Sequence, residues 1–272
     1  MVKNPRPRGR PKAFHDKTDQ NTVRALDRAL GLLEILAAHP ALTLSELAER
    51  SGQAIATVYR ALATLEARGM VEVEAPGQVW HIGSGAFRIG TAFLRHTKVV
   101  ERARGPMDAL MRDTGETANL GIEVGEEVLF LAQVETHEAI RAFFPPGTKG
   151  PMHVSGIGKA LLAWTDPARV NAIIARRGLT SFTAHSLSTA DALLQDLVEI
   201  RARGYAIDDQ ERAEGMRCVA APIFNAHSEP VAGISVSGPA FRMSLSDAQA
   251  VGARVRAAAD CVTEAVGGRK AG

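Results

Sequence analysis

The sequence predicts an α+β protein in two parts: a winged helix-turn-helix, then a larger domain of antiparallel hairpins with helices on its faces. Three observations predict it. Residues 42–69 read as two short helices around a tight turn, and residues 71–82 as strand, turn and strand. Residues 117–266 alternate short β-branched runs with helical periodicity.

Within the first stretch, Thr43 and Glu46 have capping-box spacing and start a helix that buries Leu44, Leu47 and Ala48. Gly52 stands where that helix must stop and turn. From Ala54 a second helix buries Val58, Ala61, Leu62 and Leu65 and turns Gln53, Thr57, Arg60 and Thr64 to its other side. Short polar groups and an arginine along one stripe suit a helix that touches phosphates and base edges of double-stranded DNA. A plain surface helix also has a polar face, so the flanking elements decide. Upstream, residues 21–39 are strongly periodic, with Val23, Leu26, Leu30, Leu33 and Leu36 on one face, and supply the first helix of a three-helix core. Downstream, Val71, Val73, Val79, Trp80 and Ile82 are strand formers on either side of a Pro76-Gly77 turn, which makes the wing.

The first residues hold a second feature for DNA. Lys3, Arg6, Arg8, Arg10, Lys12 and Lys17 face the single acid Asp16, and interleaved proline and glycine keep this arm from packing a core. Pro7-Arg8-Gly9-Arg10-Pro11 resembles the core of an AT-hook, whose arginines enter narrow A·T-rich minor grooves. A solubilising tail has the same composition, and both readings stand.

Composition agrees with a regulator. A chain of 272 residues, 46% of them hydrophobic, has room for two cores. The net charge of +2 excludes a broadly basic coat protein, because the excess is local to the arm. Cys218 and Cys261 make neither a disulfide framework nor metal-finger spacing, so no metal or cofactor is expected. Without a signal peptide or a run long enough to span a bilayer, the chain is expected in the cytoplasm, with no membrane partner.

Residues 84–104 mix Phe87, Ile89, Phe93, Leu94 and Val99 with Arg88, Arg95, Lys98 and Arg102, as an amphipathic linker helix would. The helix reads either as an internal connector or as a surface for its twin in a dimer, since a two-fold operator needs two copies. Gly105-Pro106 is expected to break it before a helix at 107–114. The expected parts are then a disordered basic arm at 1–20, the winged helix at 21–83, the linker at 84–104, a sensor-like domain at 105–266 and a flexible tail at 267–272. Inside the sensor-like domain the expected strands are 117–124, 128–134, 140–144, 205–208, 219–224 and 231–236. The expected helices are 156–164, 191–203 and 245–266.

Four further motifs carry a resemblance: residues 151–160 (PMHVSGIGKA), 204–209 (GYAIDD), 215–222 (GMRCVAAP) and 232–239 (AGISVSGP). In this order, behind a winged helix, they resemble the IclR family of bacterial transcription regulators across residues 22–266. The resemblance implies a GAF-like effector-binding domain, a homodimer or dimer of dimers (a homotetramer), and control of a metabolic operon by a small organic acid. Within the family it points to glyoxylate-responsive members, including those that govern the β-hydroxyaspartate route of glyoxylate assimilation. Pyruvate, glycolate or another small acid is the alternative effector.

Chemistry supports the carry-over. The glycine turn before Ile157-Gly158-Lys159 opens a helix, where exposed amides favour an anion. Ser235 and Ser237 alternate along a strand and so share a face. By resemblance, Gly156 and Ile157 hold the carboxylate through backbone amides, and the two serines assist. Asp208 and Cys218 then meet the aldehyde or its hydrate, while Met152 and Met216 form apolar walls. Glyoxylate-binding relatives often have alanine where this chain has Ile157, so the pocket is expected to be small. Ala54-Ile55-Ala56 replaces a stretch that is commonly more polar, which moves the expected base contacts to Gln53, Thr57 and Arg60.

Enzyme readings fail on motif chemistry. A phosphate loop needs a glycine where His153 stands and a hydroxyl where Ala160 follows Lys159. A Cys218, His153 and Asp208 nucleophile set can be written, but no nucleophile signature surrounds the cysteine.

Overall fold

A computed structural model of the protein describes residues 22–39, 41–75, 78–96 and 98–270. The basic arm with Arg8 and Arg10, and the wing turn at Pro76-Gly77, lie outside the described residues. The chain divides into two compact units, residues 1–96 and 97–272.

In the first unit α1 (Arg24–Ala38), α2 (Leu44–Ser51) and α3 (Ile55–Glu66) enclose Leu32, Leu36, Leu47, Val58 and Leu62. The wing strands β2 (Val71–Glu74) and β3 (Val79–Ile82) are joined by a short strand the sequence did not announce, β1 (Leu42–Thr43), which pairs Leu42 with Trp80. The capping box forms as expected. Thr43 Oγ1 accepts from the Glu46 amide at 3.3 Å, and Glu46 Oε2 accepts from the Thr43 amide at 2.8 Å. Gly52 closes α2 at φ 64°, in the left-handed region that glycine enters freely. The reading of α1 needs correction. Its second half is buried through Leu32 and Leu36, but Val23, Leu26 and Leu30 are 65%, 58% and 50% exposed. The helix forms, but its buried face is centred on Leu32 and Leu36 rather than on the row of Val23, Leu26 and Leu30. A further helix, α4 (Ser84–His96), follows the wing.

The second unit opens with α5 (Lys98–Thr114), which runs unbroken through Gly105 and Pro106. The expected break at Gly105-Pro106 is therefore absent, and the single linker of 84–104 is replaced by two helices. Proline removes one backbone donor. Even so, Val99, Ala103, Met107 and Leu110 form one buried face that packs on both sides of it. Six antiparallel strands follow: β4 (Thr117–Glu123), β5 (Glu127–Val134), β6 (Lys149–Pro151), β7 (Ala206–Asp209), β8 (Met216–Phe224) and β9 (Pro230–Pro239). Their order in the sheet is β6-β5-β4-β9-β8-β7. One face packs Leu120, Val219, Ile234 and Val236 against α5 and α9 (Leu245–Ala265). The other face carries Val128, Phe130 and Ala220 under α6 (Gly156–Leu162), α7 (Pro167–Arg177) and α8 (Ala190–Arg203).

Two elements differ from the sequence reading. Residues 140–144 are not a strand; Ile140 and Phe143 are 60% and 61% exposed, and β6 occupies the sheet edge instead. Helix α7 was not foreseen, although Asp166-Pro167 is a strong start signal: Asp166 Oδ1 accepts from the amides of Ala168 and Arg169.

The capping box makes a local prediction. Thr43→Ala should lower the stability of the first unit by about 1 kcal/mol. Urea unfolding followed by Trp80 fluorescence, in a Trp164→Phe background, would measure it, and an unchanged midpoint would refute it.

Candidate functional site

Strand register assembles the site. Asp208 pairs with Cys218, Cys218 with Ser237, and Ser237 with Thr117, so one rung crosses four strands with its side chains on one face. The adjacent rung on that face runs Ala220, Ser235, Asn119 and Gln133. Asn119 Nδ2 donates to Ser237 Oγ at 3.3 Å, and Gln133 Nε2 donates to Asn119 Oδ1 at 2.9 Å. Over these rungs lies the start of α6. Its Ser155 side chain accepts from the Gly158 amide at 3.3 Å, while Gly156 and Ile157, as first helical residues, have no acceptor in a preceding turn. Gly156 is required for this approach, because a Cβ there would lie 2.8 Å from Cys218 Sγ.

Between α6 and the sheet is a cavity of about 80 Å³. Six of the expected ligand residues line it: Gly156, Ile157, Asp208, Cys218, Ser235 and Ser237. Ser235 is 1% exposed, and its hydroxyl has no hydrogen-bond partner. Such an orphan is rare in a folded interior, and here it opens onto a space sized for a small molecule. Met152 and Met216 do not line the cavity, contrary to expectation. Met152 is buried in the core beneath α6 and α8 and borders a separate cavity of about 140 Å³ with His153 and Leu179. Met216 pairs with Pro239 at the strand end, beyond the polar rung. The apolar walls are Phe130, Phe144, Val154 and Ile157, with the first two rings stacked at 4.9 Å. Lys149 and Arg212 add positive charge to the lining. Arg212 is exposed, with its guanidinium 4.2 Å from the centre of the Phe182 ring. Nothing in the local sequence around Phe130, Phe144 or Arg212 announces these roles, since each reaches the cavity from a different element.

Below the floor sits Lys159, 1% exposed. Its Nζ donates to Asp196 at 2.7 Å, to Glu211 at 2.5 Å and to the Ile207 carbonyl at 2.7 Å, which uses all three of its donors. Burial works against its charge, but Glu211 and Asp196 outweigh that and hold it firmly protonated. Burial pushes the Asp208 carboxyl up to about 6, with Lys159 and the amides after it opposing. Burial likewise raises Glu211 to about 7, again opposed by Lys159 and reinforced by Asp208. The Cys218 thiol is pushed up to about 11 by burial and then by Asp208, so it stays protonated at neutral pH.

In the first unit, α3 presents the other expected site. Thr57 and Arg60 are exposed on it. Gln53 precedes the helix and is half-buried, with its amide oxygen enclosed, and the Thr64 hydroxyl donates to the Arg60 carbonyl at 2.9 Å. The polar stripe is thus only partly free. Ile55 and Tyr59, 54% and 57% exposed, share the outer surface with Ala56 and Ala63.

Comparison with known proteins decides the family. Residues 25–75 match the IclR helix-turn-helix domain, and residues 91–264 match the C-terminal domain of IclR bacterial transcriptional regulators. The chain belongs to the IclR family. It is 52% identical over 263 residues to the HTH-type transcriptional regulator BhcR of Paracoccus denitrificans, covering 97% of this chain and 91% of that one. It is 37% identical to the transcriptional repressor IclR of Escherichia coli, over 98% of both chains. The crystal structure of IclR from Thermotoga maritima superposes with a TM-score of 0.77 at 26% identity, covering 90% of this chain and all of that one.

As an IclR-family member the protein is a ligand-responsive, DNA-binding transcriptional regulator, and the geometry agrees with a sensor rather than an enzyme. Lys159, which a phosphate loop would aim at a nucleotide, is fully bonded inside the protein. His153 lines the other cavity, its Nε2 lies 3.0 Å from the Thr180 carbonyl oxygen, and burial lowers its pKa. The nucleophile set of Cys218, His153 and Asp208 is therefore not assembled, and the thiol is the wrong protonation state for attack. No described helix is long and apolar enough to cross a membrane.

Asp208 supplies a pH test. Its folded-state pKa is raised, so the folded protein holds the proton longer than the unfolded chain. Its contribution to stability is greatest at low pH and declines as pH rises toward and past about 6. Between about pH 5 and about pH 7.5, wild type should lose about 1 kcal/mol of unfolding free energy relative to Asp208→Asn. Urea unfolding of both across that range would check it; a constant difference would refute it.

Proposed function

We propose that this regulator senses glyoxylate in the cavity between α6 and the sheet and changes its operator affinity in response. The buried, unpartnered Ser235 hydroxyl carries the reading, because it faces a small cavity whose other polar groups suit a carboxylate and an adjacent carbonyl or hydrate. The Gly156 and Ile157 amides and Ser235 take the carboxylate, with Ser237 beside them. The Cys218 thiol, protonated at neutral pH, and the Asp208 carboxyl, which burial raises to about 6, meet the other end. A cavity of about 80 Å³ is smaller than the roughly 150 Å³ apolar cavity that takes a benzene, which suits a small acid. Ile157, itself packed against Gly233, contributes to that small size.

The mechanism is differential affinity. The effector binds one arrangement of the regulator better than another, and DNA affinity shifts by the same coupling free energy. The protein acts as a homodimer or dimer of dimers on a pseudo-palindromic operator, with α3 in the major groove. The basic arm adds salt-dependent affinity through Arg8 and Arg10 on A·T-rich flanks.

Fluorescence anisotropy of the DNA flanking this gene, at fixed salt, tests the reading. Binding should shift with glyoxylate and not with glycolate or pyruvate; a shift with pyruvate alone would replace the effector, and indifference to all three would remove the sensing claim. Cys218→Ser and Asp208→Ala should each weaken glyoxylate binding by about tenfold or more, the loss of a buried hydrogen bond. Calorimetry would measure this, and wild-type affinity in both variants would remove the pocket assignment. Arg8→Ala with Arg10→Ala should weaken binding to A·T-flanked sites by about tenfold at low salt. Equal anisotropy curves for the two proteins would remove the arm.

A further inference from the structure

The outer surface of α3 carries apolar groups beside the polar stripe its sequence spacing suggested. Ile55 is the first residue of the helix, stands outside the core of the first unit, and is 54% exposed. Ala56 beside it is exposed, and so are Tyr59 and Ala63 one and two turns further on. The buried side of the same helix is complete without them, through Val58 and Leu62 with Ala61 and Leu65 partly covered. Ile55 therefore has no packing role in this unit. In a helix-turn-helix the residues at the start of the second helix meet base edges in the major groove. There thymine is the base that presents an apolar group, its C5 methyl, and an aliphatic side chain is its complement.

We propose that Ile55, with Ala56 beside it, selects a thymine in each operator half-site by packing on the thymine methyl group. The neighbouring features fit that occupant. The Ala54 position provides no side-chain cap, so the first amides of α3 are open to a phosphate. Arg60 is exposed and has no carboxylate partner among the described residues, as suits a group bound for the DNA backbone or a guanine edge. The small Ala56 and Ala63 side chains let the helix approach the groove floor closely. Gln53 is half-buried and the Thr64 hydroxyl bonds back to the Arg60 carbonyl, so apolar contact stands beside Thr57 and Arg60 as a discriminating element on this surface.

The test uses the full-length protein and the shortest duplex it protects within the DNA flanking its gene. Each thymine of a half-site is replaced in turn by uracil, which removes only the methyl. Wild type should lose roughly fourfold in affinity at one symmetry-related thymine, the worth of one buried methyl-sized group. Ile55→Ala should bind the thymine duplex more weakly and show no further loss at that uracil, whereas Ile55→Val should keep the sensitivity. Because residue 55 is exposed, both variants should unfold at the wild-type midpoint. Sensitivity that persists unchanged in Ile55→Ala, or a half-site in which no thymine-to-uracil change matters, would overturn the proposal.

Discussion

The buried ammonium of Lys159 is the interaction on which the effector domain depends. It projects from α6 and takes its acceptors from α8, from the backbone of β7 and from the turn that follows β7. One side chain thereby ties α6 to all three. Desolvating a lysine is costly, and the geometry repays it only because every donor is matched. Truncating it would leave Glu211 buried without its counter-charge, a loss of about 3–5 kcal/mol. Burial raises the Asp208 carboxyl to about 6 and that of Glu211 to about 7, and the Lys159 charge opposes both shifts.

Above that floor, the sheet sets chemistry through register alone. Antiparallel pairing lines up Asp208, Cys218 and Ser237 from three consecutive strands, with Thr117 added from β4 far earlier in the chain. Slipping any pair by one residue would turn a polar group into the α5 and α9 core. Glycine at position 156 lets α6 descend until its first amides reach the same space. Cavity size is then decided by Ile157, Phe130 and Phe144, one from the helix, one from a strand and one from a loop.

The DNA-reading unit follows a different economy. Its core is small, α2 is held at both ends by local caps, and α3 carries exposed aliphatic and aromatic groups without burying them. Ile55 and Tyr59 are exposed on α3, whereas Val23, Leu26 and Leu30 are exposed in the first half of α1.

Much of this was written in the sequence at short range. The Thr43 and Glu46 cap, the Gly52 stop, the wing and the hairpins depend on signals within a turn or a strand, whereas the six residues that line the cavity were reached through the resemblance of their motifs to the IclR family. Such signals survive without knowledge of neighbours, because capping, left-handed backbone and strand alternation are properties of a few consecutive residues. Tertiary structure decided what lies opposite each face. It kept α5 continuous through Pro106, replaced the strand expected at 140–144 with β6, and left the first half of α1 uncovered. It also moved Met152 and Met216 out of the cavity and brought in Phe130, Phe144 and Arg212. The physical reason is common to all of these. Burial is a relation between segments distant in the chain, and it outweighs local preference wherever enough apolar surface is covered.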